Sequence, residues 1–268
     1  MFQYAVGRSI AERRNEILKL DIFDYDRFKL HNGYRLGAFN IFACIATMPE
    51  INLLGTRNRL LRKLTRDGIL AYKKKSFFVE KRTEESKFNS DVFTYKDLYL
   101  SGYWQNENYF LSIRELLLEE LTLKEPIGTV ASTYYESIKK TNSVAVHIRR
   151  GDYINADWTI GVDYYKKAYE LMKSKVDNPS FFVFSDDISW CKENLCFLDN
   201  PRFVEGTNSE LDDFELMRVA KHNIVANSSY SWWAAWLNSN DDKIVIAPKI
   251  WFQNRRDFSP QPESWLTV

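Results

Sequence analysis

Short apolar runs alternate with helix-length stripes through the second half of the chain, and that alternation leaves few folds open. Val144 to Ile148, Phe181 to Phe184, Arg202 to Glu205, Asn223 to Ala226 and Lys243 to Ala247 read as strands. Between them, Val162 to Val176 carries Tyr165, Ala168, Leu171, Met172 and Val176 on one stripe, and Asp213 to Lys221 sets Phe214, Met217 and Ala220 at core spacing. Trp190 to Leu195 and Trp232 to Leu237 read as shorter helices. Strands too apolar to expose either face, joined by helices, predict βαβ units and a parallel sheet. A boundary is expected near KEPIG, Lys124 to Gly128, where Pro126 and Gly128 separate periodic segments, giving domains 1–127 and 128–268.

The first half is less regular. Phe2, Ala5, Val6, Ser9, Ile10 and Arg13 fall at helical spacing, and Ile17 to Phe23 alternates as a strand that delivers Asp24, Tyr25 and Asp26 to a loop. A D-x-D after a strand is weighed as a metal site, although a lone D-x-D is frequent by chance and an oxygen-ligand site needs several more groups. Basic residues cluster from Arg57 to Arg82, but Glu80, Glu84, Glu85 and Asp91 dilute their field, so a solvated face is favoured over a nucleic-acid or membrane surface. Gly102 to Gln105 sets Tyr103 and Trp104 beside the Gln105 amide, which suits an acceptor sugar, with buried packing expected for at least one ring. A helix is expected from Tyr109 to Leu121.

Bulk composition excludes little: 268 residues, 45% hydrophobic, with 37 basic against 36 acidic side chains, describe an ordinary globular protein and name no partner. Cys44, Cys191 and Cys196 lack zinc-ribbon or redox spacing, which points to a reducing compartment. The amino terminus meets Arg8, Glu12, Arg13 and Arg14 with no uninterrupted apolar region for a signal peptide. Ala38 to Met48 is too short for a membrane span of about 20 residues. The expectation is a soluble cytoplasmic protein without a transmembrane segment.

The chemistry gathers where the predicted strands end. Val144 to Ile148 runs into His147, Arg149, Arg150, Gly151 and Asp152; the next strand ends in Ser185, Asp186 and Asp187; a third ends in Asn227, Ser228, Ser229 and Ser231 before a helix. Ligands of open α/β sheets bind outside such strand ends, Arg suits bidentate contact with phosphate, and helix amino termini offer free N–H groups. The plain alternative is that one arginine pairs with Asp152 and the other is solvated. Cations, hydroxyls and carboxylates on one rim suit a nucleotide sugar better than a nucleoside triphosphate, since no P-loop lysine motif is present.

HIRRGDY, FFVFSDDISWCKENL, FVEG and KHNIVANSSYSWWAAWLN resemble the family 11 glycosyltransferases, the α-1,2-fucosyltransferases of bacterial type, and MFQYAVGRSIA and GYWQNENYF resemble that family's amino-terminal half. The resemblance implies an α/β enzyme of GT-B type, two Rossmann-like halves facing a cleft, with residues 1–127 on the acceptor side and the more regular residues 128–268 binding the donor. It further implies transfer of fucose from GDP-fucose to a glycan hydroxyl, O2 of a terminal galactose, with inversion and without metal or cofactor. Such chains usually open with a strand and a G-G-L-G-N-Q turn, whereas this one begins at the MFQYA that follows: either the chain is truncated, or its start was assigned too late, or the turn is lost and its backbone donors with it.

By the same resemblance Arg149 and Arg150 offset charge growing on the β-phosphate, with Arg150 foremost. His147 contacts guanine, or else is satisfied within the core. Asp152 orients an arginine, or acts as general base. Ser185, Asp186 and Asp187 accept from ribose or fucose hydroxyls, Asp213 reads the guanine edge or merely opposes a helix dipole, and Asn227, Ser228, Ser229 and Ser231 face the diphosphate. Trp232, Trp233 and Trp236 are expected to pack behind the site. The partners implied are a nucleotide sugar and a glycan acceptor, with no nucleic acid and with peripheral contact at the inner face of a membrane left open. Two alternatives stand beside this: a degenerate, non-catalytic sugar-binding relative, and a metal-dependent transferase built on Asp24 and Asp26.

Overall fold

The computed structural model describes residues 1–25, 33–67, 69 and 76–268. It divides into two units, Met1–Lys124 and Glu125–Val268, so the division falls within KEPIG's first residues, ahead of the expected 127/128.

In the first unit α1 (Phe2–Arg14) buries Phe2, Tyr4, Ala5, Val6, Ile10 and Ala11. It ends on Asn15 in the left-handed region, φ 53°, a helix stop that Asn tolerates better than most residues. The strand expected over Ile17–Phe23 narrows to β1 (Lys19–Leu20), because the Asp21 carboxylate accepts the Phe23 N–H at 3.2 Å and turns the chain. β1 pairs in parallel with β2 (Cys44–Ile45). Then come α2 (Met48–Leu54), opened by a Thr47–Glu50 capping box, α3 (Arg59–Arg66), and a second parallel pair, β3 (Phe77–Val79) with β4 (Tyr99–Ser101). The helix expected over 109–121 is regular only as α4 (Arg114–Glu120), with 3₁₀ turns at Glu107–Tyr109 and Leu111–Ile113 before it. Asp24, weighed above as a metal ligand, lies 3.2 Å from both Arg57 and Arg62. Two of the basic residues expected to be solvated are thus ion-paired, while Asp26 and Lys73–Lys75 lie outside the described residues.

The second unit runs α5 (Thr129–Lys139), β5 (Asn142–Ile148), α6 (Gly151–Asn155), α7 (Val162–Lys173), β6 (Pro179–Ser185), α8 (Ile188–Asn194) and β7 (Arg202–Phe203). It continues with α9 (Glu210–Val219), β8 (His222–Ile224), α10 (Ser229–Trp236), β9 (Val245–Ala247) and β10 (Leu266–Thr267). These strands form one parallel sheet in the order β10-β9-β8-β5-β6-β7. In chain order that is the doubly wound arrangement 3-2-1-4-5-6, and it reverses between β5 and β8.

Both faces of the sheet are covered, which is why its strands read as continuous apolar runs. Val144, Val146, Ile148, Phe181 and Val183 pack against Tyr165, Ala168, Tyr169 and Met172 of α7 and Cys191 of α8. Phe182 and Phe184, alternating to the other face, are also buried, each worth about 1.5–3 kcal/mol relative to exposure. α10 is apolar all round and buries Trp232, Trp233 and Trp236 as expected, with Trp232 Nε1 donating to the Pro260 carbonyl at 2.9 Å. All three cysteines are free thiols. Among the described residues no helix is long and apolar enough to cross a membrane.

Candidate nucleotide-sugar site

The register of the two central strands sets the site. Ile148 of β5 stands opposite Ser185 of β6, so Arg149–Arg150 and Asp186–Asp187 leave the sheet side by side. Arg149 Nη1 lies 2.9 Å from Asp186 Oδ2 and its Nη2 lies 2.7 Å from Asp152 Oδ1, a guanidinium held between two carboxylates. Arg150 differs: only Nε is engaged, 3.0 Å from Asp187 Oδ2, and the guanidinium lies 4.0 Å above the Trp190 ring. Its terminal nitrogens have no hydrogen-bond partner among the described residues, and its side chain is about one-fifth exposed.

Asp187 serves two structures at once. Its Oδ1 caps α8 by accepting the Trp190 N–H at 3.1 Å, and the hydrogen bond from Arg150 holds its carboxyl below the usual range. Asp186 Oδ1 accepts the Arg150 backbone N–H at 2.9 Å, while a Cβ on Gly151 would stand 2.6 Å from Oδ2, so only glycine lets the chain pass so close. Ser185 Oγ accepts the Asp187 N–H at 3.0 Å. The carboxylates expected to meet ribose or fucose hydroxyls thus each pair with an arginine in this structure.

The third strand end is tied to the first. Tyr153 Oη on α6 donates to the Asn227 carbonyl at 3.2 Å, joining the RRGDY turn to the turn after β8. Ser228 is the N-cap of α10, its side chain accepting the Tyr230 N–H at 3.3 Å, and Ser231 Oγ donates to the Ser228 carbonyl at 3.4 Å. Asn227 is buried, with its Nδ2 spent on the carbonyls of Trp158 and Trp251. Of the four residues expected to face a diphosphate, only Ser229 is exposed; Asn227, Ser228 and Ser231 shape the turn that presents the α10 amino terminus.

On the α9–α10 side His147 is buried with Nδ1 unpartnered, and burial, aided by Arg149, pushes its pKa down to about 3. Its ring lies 5.4 Å from that of Tyr230, which in turn lies 5.6 Å from Phe214. Asp213, in the first turn of α9, accepts from Thr207 Oγ1 at 2.8 Å, and its pKa rises to about 6, chiefly through burial. Nδ1 of His147 has no hydrogen-bond partner among the described residues.

Tyr153, Trp190 and Tyr230 were missed by sequence reasoning although all three lie inside the motifs; a period-based reading files aromatics under core. In the first unit, Trp104 is buried against Phe78 and Tyr109 and offers no stacking face, whereas Tyr103 is half exposed and Gln105 partly so. Glu80 holds that loop, accepting the N–H groups of Tyr103 at 2.7 Å and Trp104 at 3.1 Å.

The chain is 38% identical to an Escherichia coli alpha-1,2-colitosyltransferase over 100% of its length and 94% of that protein's. It is 30% identical to the Escherichia coli O-antigen biosynthesis glycosyltransferase WbnK, over 100% and 96% of the two chains. To galactoside alpha-(1,2)-fucosyltransferase 2 of Rattus norvegicus the identity is 28% over 53% of this chain and 44% of that one. The description of glycosyl transferase family 11 matches residues 56–265, which hold every strand of the parallel sheet but β10. This chain therefore belongs to glycosyl transferase family 11.

Proposed function

We infer that the protein transfers a 6-deoxyhexose, fucose or its 3-deoxy counterpart colitose, from a GDP ester to O2 of a terminal galactose on a glycan, with inversion and without a metal. The acceptor hydroxyl attacks the anomeric carbon, its proton is released, and the bond to the β-phosphate oxygen breaks as an oxocarbenium-like transition state collapses. Arg150 offsets the charge left on the β-phosphate; the observation that carries this reading is its guanidinium, fixed by Asp187 and Trp190 yet with both terminal nitrogens unspent among the described residues, at the carboxyl end of β5, one of the two strands that flank the switch point. One such donor is worth about 2.7–4 kcal/mol of transition-state stabilisation.

Arg149 and the amino terminus of α10 complete the cationic rim, and Asp152 keeps Arg149 in place. His147 and Asp213 receive the guanine. Whole-chain similarity to a colitosyltransferase supports a donor lacking the sugar's 3-hydroxyl, and similarity to galactoside fucosyltransferases supports the galactose acceptor. Similarity to an O-antigen glycosyltransferase supports an O-antigen precursor as the glycan.

Purified protein incubated with a galactose-terminated acceptor and either GDP-fucose or GDP-colitose, in EDTA, tests this reading. GDP release with a product carrying the deoxyhexose at O2 is expected. No transfer from either ester, or transfer only after a divalent cation is restored, overturns it.

A further inference from the structure

A hollow opens beside the carboxyl ends of β8, β9 and β10, with neither arginine in its lining. Its volume is about 360 Å³, and it is lined by the loop Asp157–Gly161, the first turn of α7 and the segment after β9. That volume falls within the range of pre-formed small-molecule sites, about 300–1,000 Å³.

Asn227 builds it. Its Nδ2 donates to the Trp158 carbonyl at 2.8 Å and to the Trp251 carbonyl at 2.9 Å, tying together the two loops that form the walls. Both partners are carbonyls, so the orientation of the amide is fixed by the network and the other end must be the oxygen. Asn227 is only 2% exposed, and its Oδ1 has no hydrogen-bond partner among the described residues. A buried acceptor left without a donor is a deficit that a ligand hydroxyl would remove.

The rest of the lining narrows the ligand. Trp158 lines the hollow and stays 40% exposed although its ring meets Tyr153 edge-on and Phe252 at 5.1 Å, so much of the indole is not spent in the core. Asp157 and Asp163 add acceptors and Lys249 a donor, all three exposed. Two carboxylates against one ammonium disfavour a phosphate here. Hydroxyl donors for Oδ1 and the carboxylates, with an apolar face for the indole, describe a neutral sugar ring.

We propose that this hollow is a pyranose subsite, with Trp158 as its platform and Asn227 Oδ1 and Asp163 as its hydroxyl acceptors. Its occupant, given the glycosyl transfer inferred above, is either the transferred sugar of the donor or the terminal sugar of the acceptor. Either way, sugar recognition is built into the unit Glu125–Val268 and not confined to the Tyr103–Gln105 loop.

Saturation-transfer NMR on the whole protein, with methyl β-galactopyranoside and methyl α-L-fucopyranoside as separate probes, tests this without requiring turnover. At least one glycoside should receive saturation from the wild type and lose most of it in Trp158→Ala and Asp163→Asn, with Trp158→Phe keeping part. GDP affinity by calorimetry should stay within twofold in all three. A galactoside response identifies the acceptor, and the matching acceptor KM rises about tenfold in the variants; a fucoside response identifies the donor sugar, and the donor KM rises instead. The proposal is overturned if neither glycoside responds, if the variants respond as the wild type does, or if GDP affinity falls in parallel. Failure of the transfer assay with glycoside binding intact would sink the proposed reaction and leave the subsite standing.

Discussion

Arg150 and Asp187 meet at 3.0 Å through Nε and Oδ2, and this one ion pair fixes the guanidinium at the β5 strand end while sparing its terminal nitrogens. Arg149, its neighbour, has a carboxylate on each terminal nitrogen. The two arginines are therefore not equivalent. Arg150→Lys should lower kcat by about 10²–10³-fold, since an ammonium on a flexible stem reproduces neither the Asp187 contact nor the fork. Arg149→Lys should lose less rate and more thermal stability. Steady-state kinetics alongside thermal melts of the two variants make the check; equal losses of kcat would contradict the assignment.

Because Asp187 caps α8 with one oxygen and holds Arg150 with the other, the two roles separate by substitution. Asn keeps a carbonyl for the Trp190 N–H and is as good an N-cap as Asp, but it has no second oxygen for Arg150. Asp187→Asn should melt within a few degrees of wild type and lose about tenfold in kcat. Asp187→Ala should lose the same rate and in addition melt measurably lower than Asp187→Asn, having lost the cap. Identical melting of the two variants would show that the cap carries no weight.

How far these residues could be read from sequence follows from separation along the chain. The strands around Val144 and Phe181 were legible because a sheet buried on both faces demands uninterrupted apolar runs. What no local pattern reveals is the partner: Arg149 and Asp186 meet because Ile148 and Ser185 share a register, a relation of the folded sheet. Asp186 and Asp187 consequently read as ligands for a sugar, and their pairing with Arg149 and Arg150 could not be seen. The single turn of α6 is too short to show a period, and the two- and three-residue strands of the first unit leave no alternation to detect. Asn227 was visible as part of a polar turn, but its bonds to Trp158 and Trp251 were not.

Gly151 gives a steric test of the same turn. A methyl there would stand 2.6 Å from Asp186 Oδ2, and that carboxylate is anchored from two sides, by Arg149 Nη1 and by the Arg150 N–H. It cannot swing away without giving up one of them. Gly151→Ala should cost about 1–3 kcal/mol, the usual range for overpacking, together with about tenfold in kcat. Thermal melts and donor kinetics measure both, and a variant as stable and active as wild type would show that the turn relaxes freely.

Asp213 should make donor binding depend on pH. Burial lifts its pKa to about 6, against about 3.9 for an unperturbed carboxyl, with Thr207 opposing the shift and Asp212 and Glu210 adding to it. In the free protein a folded pKa above the unfolded one means stability that is intact below pH 4 and declines as pH rises through 6. If the carboxylate receives the N–H donors of guanine, binding needs it ionised. The ionised fraction climbs from about one-tenth at pH 5 to about nine-tenths at pH 7, so the Kd for GDP should tighten about tenfold over that interval. His147 is held neutral down to about pH 3 and adds nothing to the profile. In Asp213→Asn the amide oxygen still accepts from Thr207, so the fold should hold, while the pH dependence of GDP binding should vanish and the free variant should melt higher than wild type at pH 7.5. Calorimetric titrations of GDP at pH 5, 6 and 7 decide it: a Kd independent of pH in the wild type would place Asp213 outside the guanine pocket.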